Sequence, residues 1–424
     1  MRKVAGDRAR VMVVGDPDQT IYEFRGAKPE FILRRFREEF DEPLQHTLSY
    51  SFRYGHRVAL LANHLITHNQ GRHDVLCHAH PSTPASRIQL HESEQDGGVV
   101  VKLLEGLPES EQQQTAILFR VWSQSVPIEL RLLARQIPYR TDAGKGALFS
   151  REVEAITSLL QVVTGQLPRM TAQDRLGPMP ARKLRRLGEA LVSLNGFSGP
   201  VATLLGRYAE QTELFEGIRG LALTHETANE RIDTVQGFRA YLATLDVPPA
   251  EALQHLQTLR RQALERQDHN SDGNRGLLLS TIHRTKGLEW SRVIIPGLQE
   301  KYLPYSPRQQ EDLQAFMESE RRLLYVAITR TRNELHLITR PGGPRPAVDA
   351  DQAPSRFVAE LCHDLSERFG RWLDQRTPGH ESDNEFEVDL PLTPVSQRYA
   401  SREAVSLSGE AASTATGNQP LWAC

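Results

Sequence analysis

Ser280-Thr281-Ile282-His283-Arg284-Thr285-Lys286-Gly287-Leu288-Glu289-Trp290 is the stretch on which the fold of this chain turns. Gly276-Leu277-Leu278-Leu279 precedes it and Val293-Ile294-Ile295 follows, each apolar and short enough for a buried strand. Between the two lie hydroxyls, an imidazole, a lysine, a glycine and a carboxylate. A loop of that content at the end of a buried strand suits contacts to phosphates and hydroxyls. An ordinary polar connection between strands would draw on the same residue types, so the stretch has to be weighed with the rest of the chain.

The chain has 424 residues, room for two or three domains with large cores. Its 39% hydrophobic and 25% charged residues are ordinary for a globular protein. No run approaches a membrane span and the N-terminus has no apolar signal core, which argues against a membrane protein. Cys77, Cys362 and Cys424 are far apart and odd in number, so they form neither a disulfide framework nor a metal-ligand cluster and fit a reducing cytoplasm. With a net charge of −2, any DNA contact must come from local basic positions.

Toward the N-terminus, Val11-Met12-Val13-Val14 reads as a buried strand stopped by Gly15-Asp16-Pro17. In the following turn Gln19 can donate and accept, and so can orient a phosphate or a water. Tyr22, Phe24 and Arg25 offer ring faces and a planar cation for stacking on the bases of a single strand, or else serve as core residues of the turn. Phe31 to Phe36 predicts an amphipathic helix. Arg53 could reach a phosphate while Phe52 stacks on a purine, although arginines beside aromatics also commonly stay in water. A helix near Val58 to Ile66 follows. Strand Ala116 to Phe119, helix Pro127 to Gln136 and Ile137-Pro138-Tyr139 then imply a parallel sheet.

From about Arg151 to Asn270 helical patterns dominate: Glu152 to Val163, Ala181 to Leu194, Val201 to Leu223, Ile232 to Leu245 and Ala250 to Arg266. Sheet-like segments resume at Gly276, so this reads as a helical insertion. Glu318 to Arg332 predicts a helix, with Arg330 and Arg332 at its end, placed either to project across a cleft or to complement the helix dipole. Glu334 to Ile338 predicts a strand and Ser355 to Phe369 a short helix. Glu381 to Cys424 lacks core-forming periodicity and predicts a mobile tail.

In this order the pieces resemble the UvrD/Rep group of superfamily 1 DNA helicases. Val14 to Ala27 is similar to their third motif, Leu48 to Tyr54 to the fourth (Phe52-Arg53 where Tyr-Arg is usual), Thr281 to Trp290 to the fifth and Glu320 to Arg332 to the sixth. Ala116 to Val153 resembles the segment entering the insertion, and Pro354-Ser355-Arg356-Phe357 also has a counterpart. The resemblance implies an α/β fold with RecA-like motor domains. Residues 1–46 would be a remnant of the first motor domain, 47–147 and 274–345 the second, 148–273 the helical insertion, and 346–424 a short helix and polar tail. The implied activity is ATP-driven 3′ to 5′ movement on single-stranded DNA with unwinding of duplex. Gln19, Arg53 and Arg330 would be the catalytic contacts to the γ-phosphate. Phe52 would stack on adenine, with Gly287 and Glu289 at the nucleotide and Glu289 on its sugar. Tyr22, Phe24, Arg25, Thr281, His283 and Lys286 would face DNA. Phosphoryl transfer demands mainly cations and donors around the phosphate, which suits these residue types.

The sequence departs from the family pattern where ATP and Mg²⁺ need their second wall. Gly-x-x-x-x-Gly-Lys-Ser/Thr is absent; Gly144-Lys145-Gly146 lacks the hydroxyl and the first glycine. Asp41-Glu42-Pro43 has the wrong order for the acidic magnesium motif. The expectation is therefore the C-terminal part of a helicase, inactive without a first motor domain supplied by a missing segment or a separate polypeptide. The alternative is an ATPase-dead module that binds DNA or a protein. Val11 to Val14, lacking its usual neighbours, would expose an edge and apolar surface. Arg340-Pro341-Gly342-Gly343-Pro344 stands in place of a longer strand-separating hairpin.

Overall fold

The computed structural model describes residues 10–28, 30–40, 43–142, 146–269, 276–305, 312–342, 351, 353–376, 385–387, 389–403 and 405–408. The backbone divides into two compact units, one drawn from Met1–Glu94, Ile282–Tyr305 and Gln310–Cys424, the other chiefly Gln95–Thr281. Both are α/β.

In the first unit, Thr331–Thr339 lies between Arg87–Glu92 and Trp290–Leu298, all parallel. Ile88 and Val293 both pair with Leu335, and Leu90 and Ile295 with Leu337, so the apolar rows stack across the sheet. Parallel strands require crossovers, and the helix Leu313–Ile328 supplies one with its last nine residues buried. His56–Ile66 is the other central helix, buried from Val58 onward. A short parallel pair, Tyr50–Ser51 with His78–Ala79, sits beside it in sequence.

In the second unit, Leu277–Thr281 lies between Thr115–Phe119 and Tyr139–Thr141, again parallel. The expected buried runs Ala116 to Phe119 and Leu277 to Leu279 are strands with nearly every side chain inside. The helical region is real and contains Arg151–Val163, Arg169–Arg175, Leu184–Ser193, Val201–Thr212, Leu214–Leu221, His225–Ala243 and Pro249–His269 around one core. The single helix expected over Val201 to Leu223 is broken at Glu213, which takes a left-handed φ of 50°. There Thr212 turns its hydroxyl back to Tyr208 O at 2.6 Å, and the Glu213 carboxylate pairs with Arg182 and Arg186.

Three further expectations need correction. Val11 to Val14 is not a strand: Met12 is 86% and Val14 70% exposed. Among the described residues no strand pairs with it, so its backbone has no ladder to join, and the exposed apolar surface expected there is present. The helix of the sixth motif ends at Ile328, and Arg332 belongs to the strand Thr331–Thr339. Nor is the tail structureless throughout. Glu385–Glu387 pairs with Ser406–Ser408, and Pro394–Arg402 is a helix capped by Thr393 and Ser396. Its Tyr399 is fully buried, stacked on His78 at 4.2 Å, with the hydroxyl accepting from Ala79 N at 3.1 Å. Val395 and Tyr399 form an i, i+4 apolar pair that the polar composition around them obscures. Asp41, Glu42, Gly144, Lys145 and residues 409–424 lie outside the described residues.

Candidate functional site

Asp16 organises the turn after Val11 to Val14. Its carboxylate accepts from Asp18 N at 2.9 Å, capping the 3₁₀ turn Pro17–Gln19, and from Gln19 Nε2 at 2.6 Å. Asp18 is clamped from behind by Arg72, Nη2 to carboxylate at 2.8 Å. With its nitrogen committed to Asp16, Gln19 presents Oε1, which accepts from Arg330 Nη2 at 3.1 Å.

Arg330 is only 1% exposed. Nε donates to Val326 O at 2.9 Å, Nη1 to Leu288 O at 3.2 Å and Nη2 also to Thr329 Oγ1 at 3.1 Å. It therefore caps the preceding helix and reaches Gln19 at once. Burial, helped by the nearby Arg53 charge, pushes its pKa down to about 10, so it stays a cation at neutral pH.

Arg53 and Arg332 converge on Glu289 from two sides. Arg53 Nε and Arg332 Nη2 each bond a different oxygen of that carboxylate, and Arg53 Nη1 donates to Thr329 O at 2.8 Å. Burial pushes Glu289 up, but the bonds from Arg53 and Arg332 outweigh it and hold the carboxylate below its usual range. Gly287, at φ +90°, makes the turn between Lys286 and Leu288; a side chain there would be strained. Lys286 reaches back to donate Nζ to Gln19 O at 2.7 Å, and burial lowers its pKa.

An open cleft of about 690 Å³ has walls that include Asp16, Gln19, Phe52, Arg53, Glu289 and Arg332. Phe52 is 70% exposed, its ring stacked on His80 at 4.1 Å. The cleft thus presents an aromatic face, a carboxylate held between two guanidiniums, and the Gln19 residue. Arg330 lies behind Gln19 rather than on the wall.

A second cluster forms around Tyr22. Its hydroxyl donates to His283 O at 2.5 Å, and its ring lies 5.5 Å from the Arg25 guanidinium and 5.9 Å from Lys286 Nζ. Lys286 thereby joins the Tyr22 cluster to Gln19. The side chain of Phe24 lies outside the described residues, and Thr281 ends a strand of the other unit, half-buried. Arg322 ties the helix beneath to this segment, donating to Thr20 O at 3.2 Å and Glu23 at 2.8 Å.

Sequence reasoning did not single out Asp16 as a member of the site, and it placed Arg332 at a helix end without its partner Glu289. Asp16 follows from the Asp-Pro turn itself, a capping residue three before Gln19. Among the described residues no group of three or more His, Cys, Asp or Glu is placed to hold a metal ion, and no helix is long and apolar enough to cross a membrane.

Comparison with known proteins finds relatives of this chain. The family model for the UvrD-like helicase C-terminal domain matches residues 169–341, and that for the UvrD/REP helicase N-terminal domain matches residues 1–41. DNA helicase II of Salmonella typhimurium is 26% identical over 426 residues, covering 87% of this chain and 57% of the relative. ATP-dependent DNA helicase UvrD2 of Mycobacterium tuberculosis is 29% identical over 377 residues, covering 83% and 46%. ATP-dependent DNA helicase PcrA of Staphylococcus epidermidis is 26% identical over 409 residues, covering 86% and 56%. The chain spans about half the length of the curated relatives it matches.

Proposed function

Because this chain belongs to the UvrD/Rep helicase family, we propose that it is the C-terminal part of an ATP-dependent DNA helicase that moves 3′ to 5′ on single-stranded DNA and unwinds duplex. The observation that carries the reading is the shared opening of Gln19, Arg53 and Glu289 with Arg330 directly behind them. Gln19, Arg53 and Glu289 border one cleft, Arg330 bonds Gln19 from behind it, and each has a nucleotide task by motif.

The residues present fit one side of ATP. Phe52 offers a face to the base, Glu289 accepts from the sugar, and Arg53, Gln19 and Arg330 supply cationic and polar contacts for the terminal phosphate. When bound, ATP with Mg²⁺ would supply the phosphoryl group whose transfer drives movement. Arg330 would stabilise negative charge there by exchanging its bond with Gln19 for a phosphate oxygen. The β-phosphate cradle and the magnesium carboxylate would come from a first motor domain, in a longer chain or a separate polypeptide. On the DNA side Tyr22, Arg25, His283 and Lys286 would hold a single strand by stacking and backbone contacts, which is tolerant of sequence. Phe24 and Thr281 are assigned to DNA contacts by motif alone.

One observation favours the second reading, an ATPase-dead DNA- or protein-binding module. Arg330 is turned inward onto protein acceptors instead of lining the cleft.

The deciding experiment measures DNA-stimulated ATP hydrolysis by the 424-residue chain alone and after adding the first motor domain of a relative. We expect negligible turnover alone and a gain on mixing that Arg330→Ala abolishes. Turnover at helicase rates by the chain alone would overturn the dependence on a second wall. Single-stranded DNA binding lost in Tyr22→Ala, with no response to nucleotide in any mixture, would select the binding module.

A further inference from the structure

We propose that His80 is a positioning residue for the base of a purine nucleotide, a rigid pedestal that holds the Phe52 ring flat against its back and face-out to the cleft. The inference rests on the nucleotide reading of the cleft and extends it to a residue outside every motif quoted above.

The geometry comes from two short strands. Tyr50 and Phe52 are two apart and so project to the same side of Tyr50–Ser51, and the parallel partner His78–Ala79 delivers His80 beside them. His80 meets Tyr50 edge-on, centroids 5.9 Å apart and planes at 83°, and stacks on Phe52 at 4.1 Å and 28°. One face of Phe52 is therefore taken, and the 70% exposure of the residue leaves the other for a ligand.

His80 itself is fixed on three sides. Its N–H donates to Ser51 O at 2.9 Å, its carbonyl accepts from Thr83 N at 2.8 Å, and ring Nδ1 accepts from Ser82 N at 3.1 Å. Nδ1 also lies 2.7 Å from Ser82 Oγ, so both polar atoms of Ser82 hold that edge of the ring. Tyr50 is braced in turn by the Arg402 guanidinium, 4.8 Å above its ring. The row Arg402, Tyr50, His80, Phe52 thus ends at the cleft, where Phe52, 70% exposed, offers a more open aromatic face than Tyr50 at 45%.

An exposed phenylalanine on a turn samples several rotamers, and stacking a base on it would require freezing them. A ring already held from behind escapes most of that cost. His80 therefore raises affinity for the base without touching the nucleotide, and the phosphate contacts through Arg53 are independent of it.

The test uses the full chain with millimolar ATP and saturation-transfer NMR, and with inorganic tripolyphosphate followed by ³¹P line broadening. We expect transfer to the adenine protons in the natural protein, a loss of affinity for ATP of roughly three- to tenfold in His80→Ala, and recovery in His80→Tyr. Tripolyphosphate broadening should be unchanged in His80→Ala. Equal ATP affinity in the natural protein and His80→Ala overturns the pedestal and leaves the nucleotide cleft standing. Parallel losses for ATP and tripolyphosphate also overturn it, because the residue would then be supporting the strand rather than the base. Absence of any transfer to ATP in the natural protein overturns the nucleotide reading and the pedestal with it.

Discussion

Arg330 Nη2 donates to Gln19 Oε1 at 3.1 Å, joining positions 311 residues apart in the chain. The two groups proposed to meet one phosphate hold each other here. A buried guanidinium needs acceptors on every side, and Gln19 provides one that a phosphate oxygen could replace.

Arg330→Ala should therefore damage the fold as well as the chemistry. It leaves Val326 O and Leu288 O without their donors and opens a cavity, at a cost of about 2–4 kcal/mol. Gln19→Ala, at the cleft wall, should cost less than about 1 kcal/mol. Urea melts of the two variants check this, and an Arg330→Ala midpoint equal to the natural protein's would contradict the inward pose.

His64 predicts how stability responds to acid. It is fully buried between the hydroxyls of Ser366 and Thr393, at 2.9 and 2.8 Å, and burial lowers its pKa to about 3. The unfolded chain binds a proton near pH 6.5 that the fold refuses. The stabilisation is thus complete above that pH and is lost as pH falls toward 3, on the order of 2 kcal/mol by pH 5. Histidine NMR should show one imidazole that stays neutral at pH 5; a His64 signal titrating near 6 would refute it.

Asp374 acts with the opposite sign. Burial raises its pKa to about 6 despite Arg57, whose Nε lies 3.3 Å away. The fold then holds a proton that the unfolded chain releases near pH 4, so stability falls as pH rises from about 4 to 6 and is flat above. Asp374→Asn should flatten that slope and raise the melting temperature at pH 7.5 relative to pH 4.5. A variant with an unchanged pH profile would rule Asp374 out as the source.

Glu129 anchors the entry to the helical region. It is wholly buried and accepts from Ser125 Oγ at 2.6 Å, Ala147 N at 2.8 Å and Tyr139 OH at 3.3 Å. Glu129→Ala should cost about 2–3 kcal/mol and speed tryptic cleavage at Arg151, whereas Glu129→Gln keeps an acceptor for Ala147 and should cost less. Equal cleavage rates in all three proteins would argue against the anchor.

Much of this was legible in the chain. Ala116 to Phe119, Leu277 to Leu279 and Val293 to Ile295 announce buried parallel strands because both faces must be apolar. The helical region declares itself by period, and its internal break at Glu213 does not, because the partners of Glu213, Arg182 and Arg186, come from an earlier segment of the chain. Tyr399 shows the same limit: within a polar segment its burial depends on His56, His78 and Ala79, some 320 residues earlier. Val11 to Val14 failed for the complementary reason, since an apolar run becomes a strand only where a neighbour offers its backbone.

By itself the sequence determined which residue types stand at which spacing: the strand cores, the helical stretch, and the order of Gln19, Phe52-Arg53, Glu289 and Arg330. Local periodicity and turn chemistry act over a few residues, so a reader of the chain can recover them. Tertiary structure alone decided that Arg53 and Arg332 share Glu289, that Arg330 faces inward to Gln19, and that His80 lies under Phe52. Those pairings follow from the order in which parallel strands lie side by side, which no short-range rule encodes.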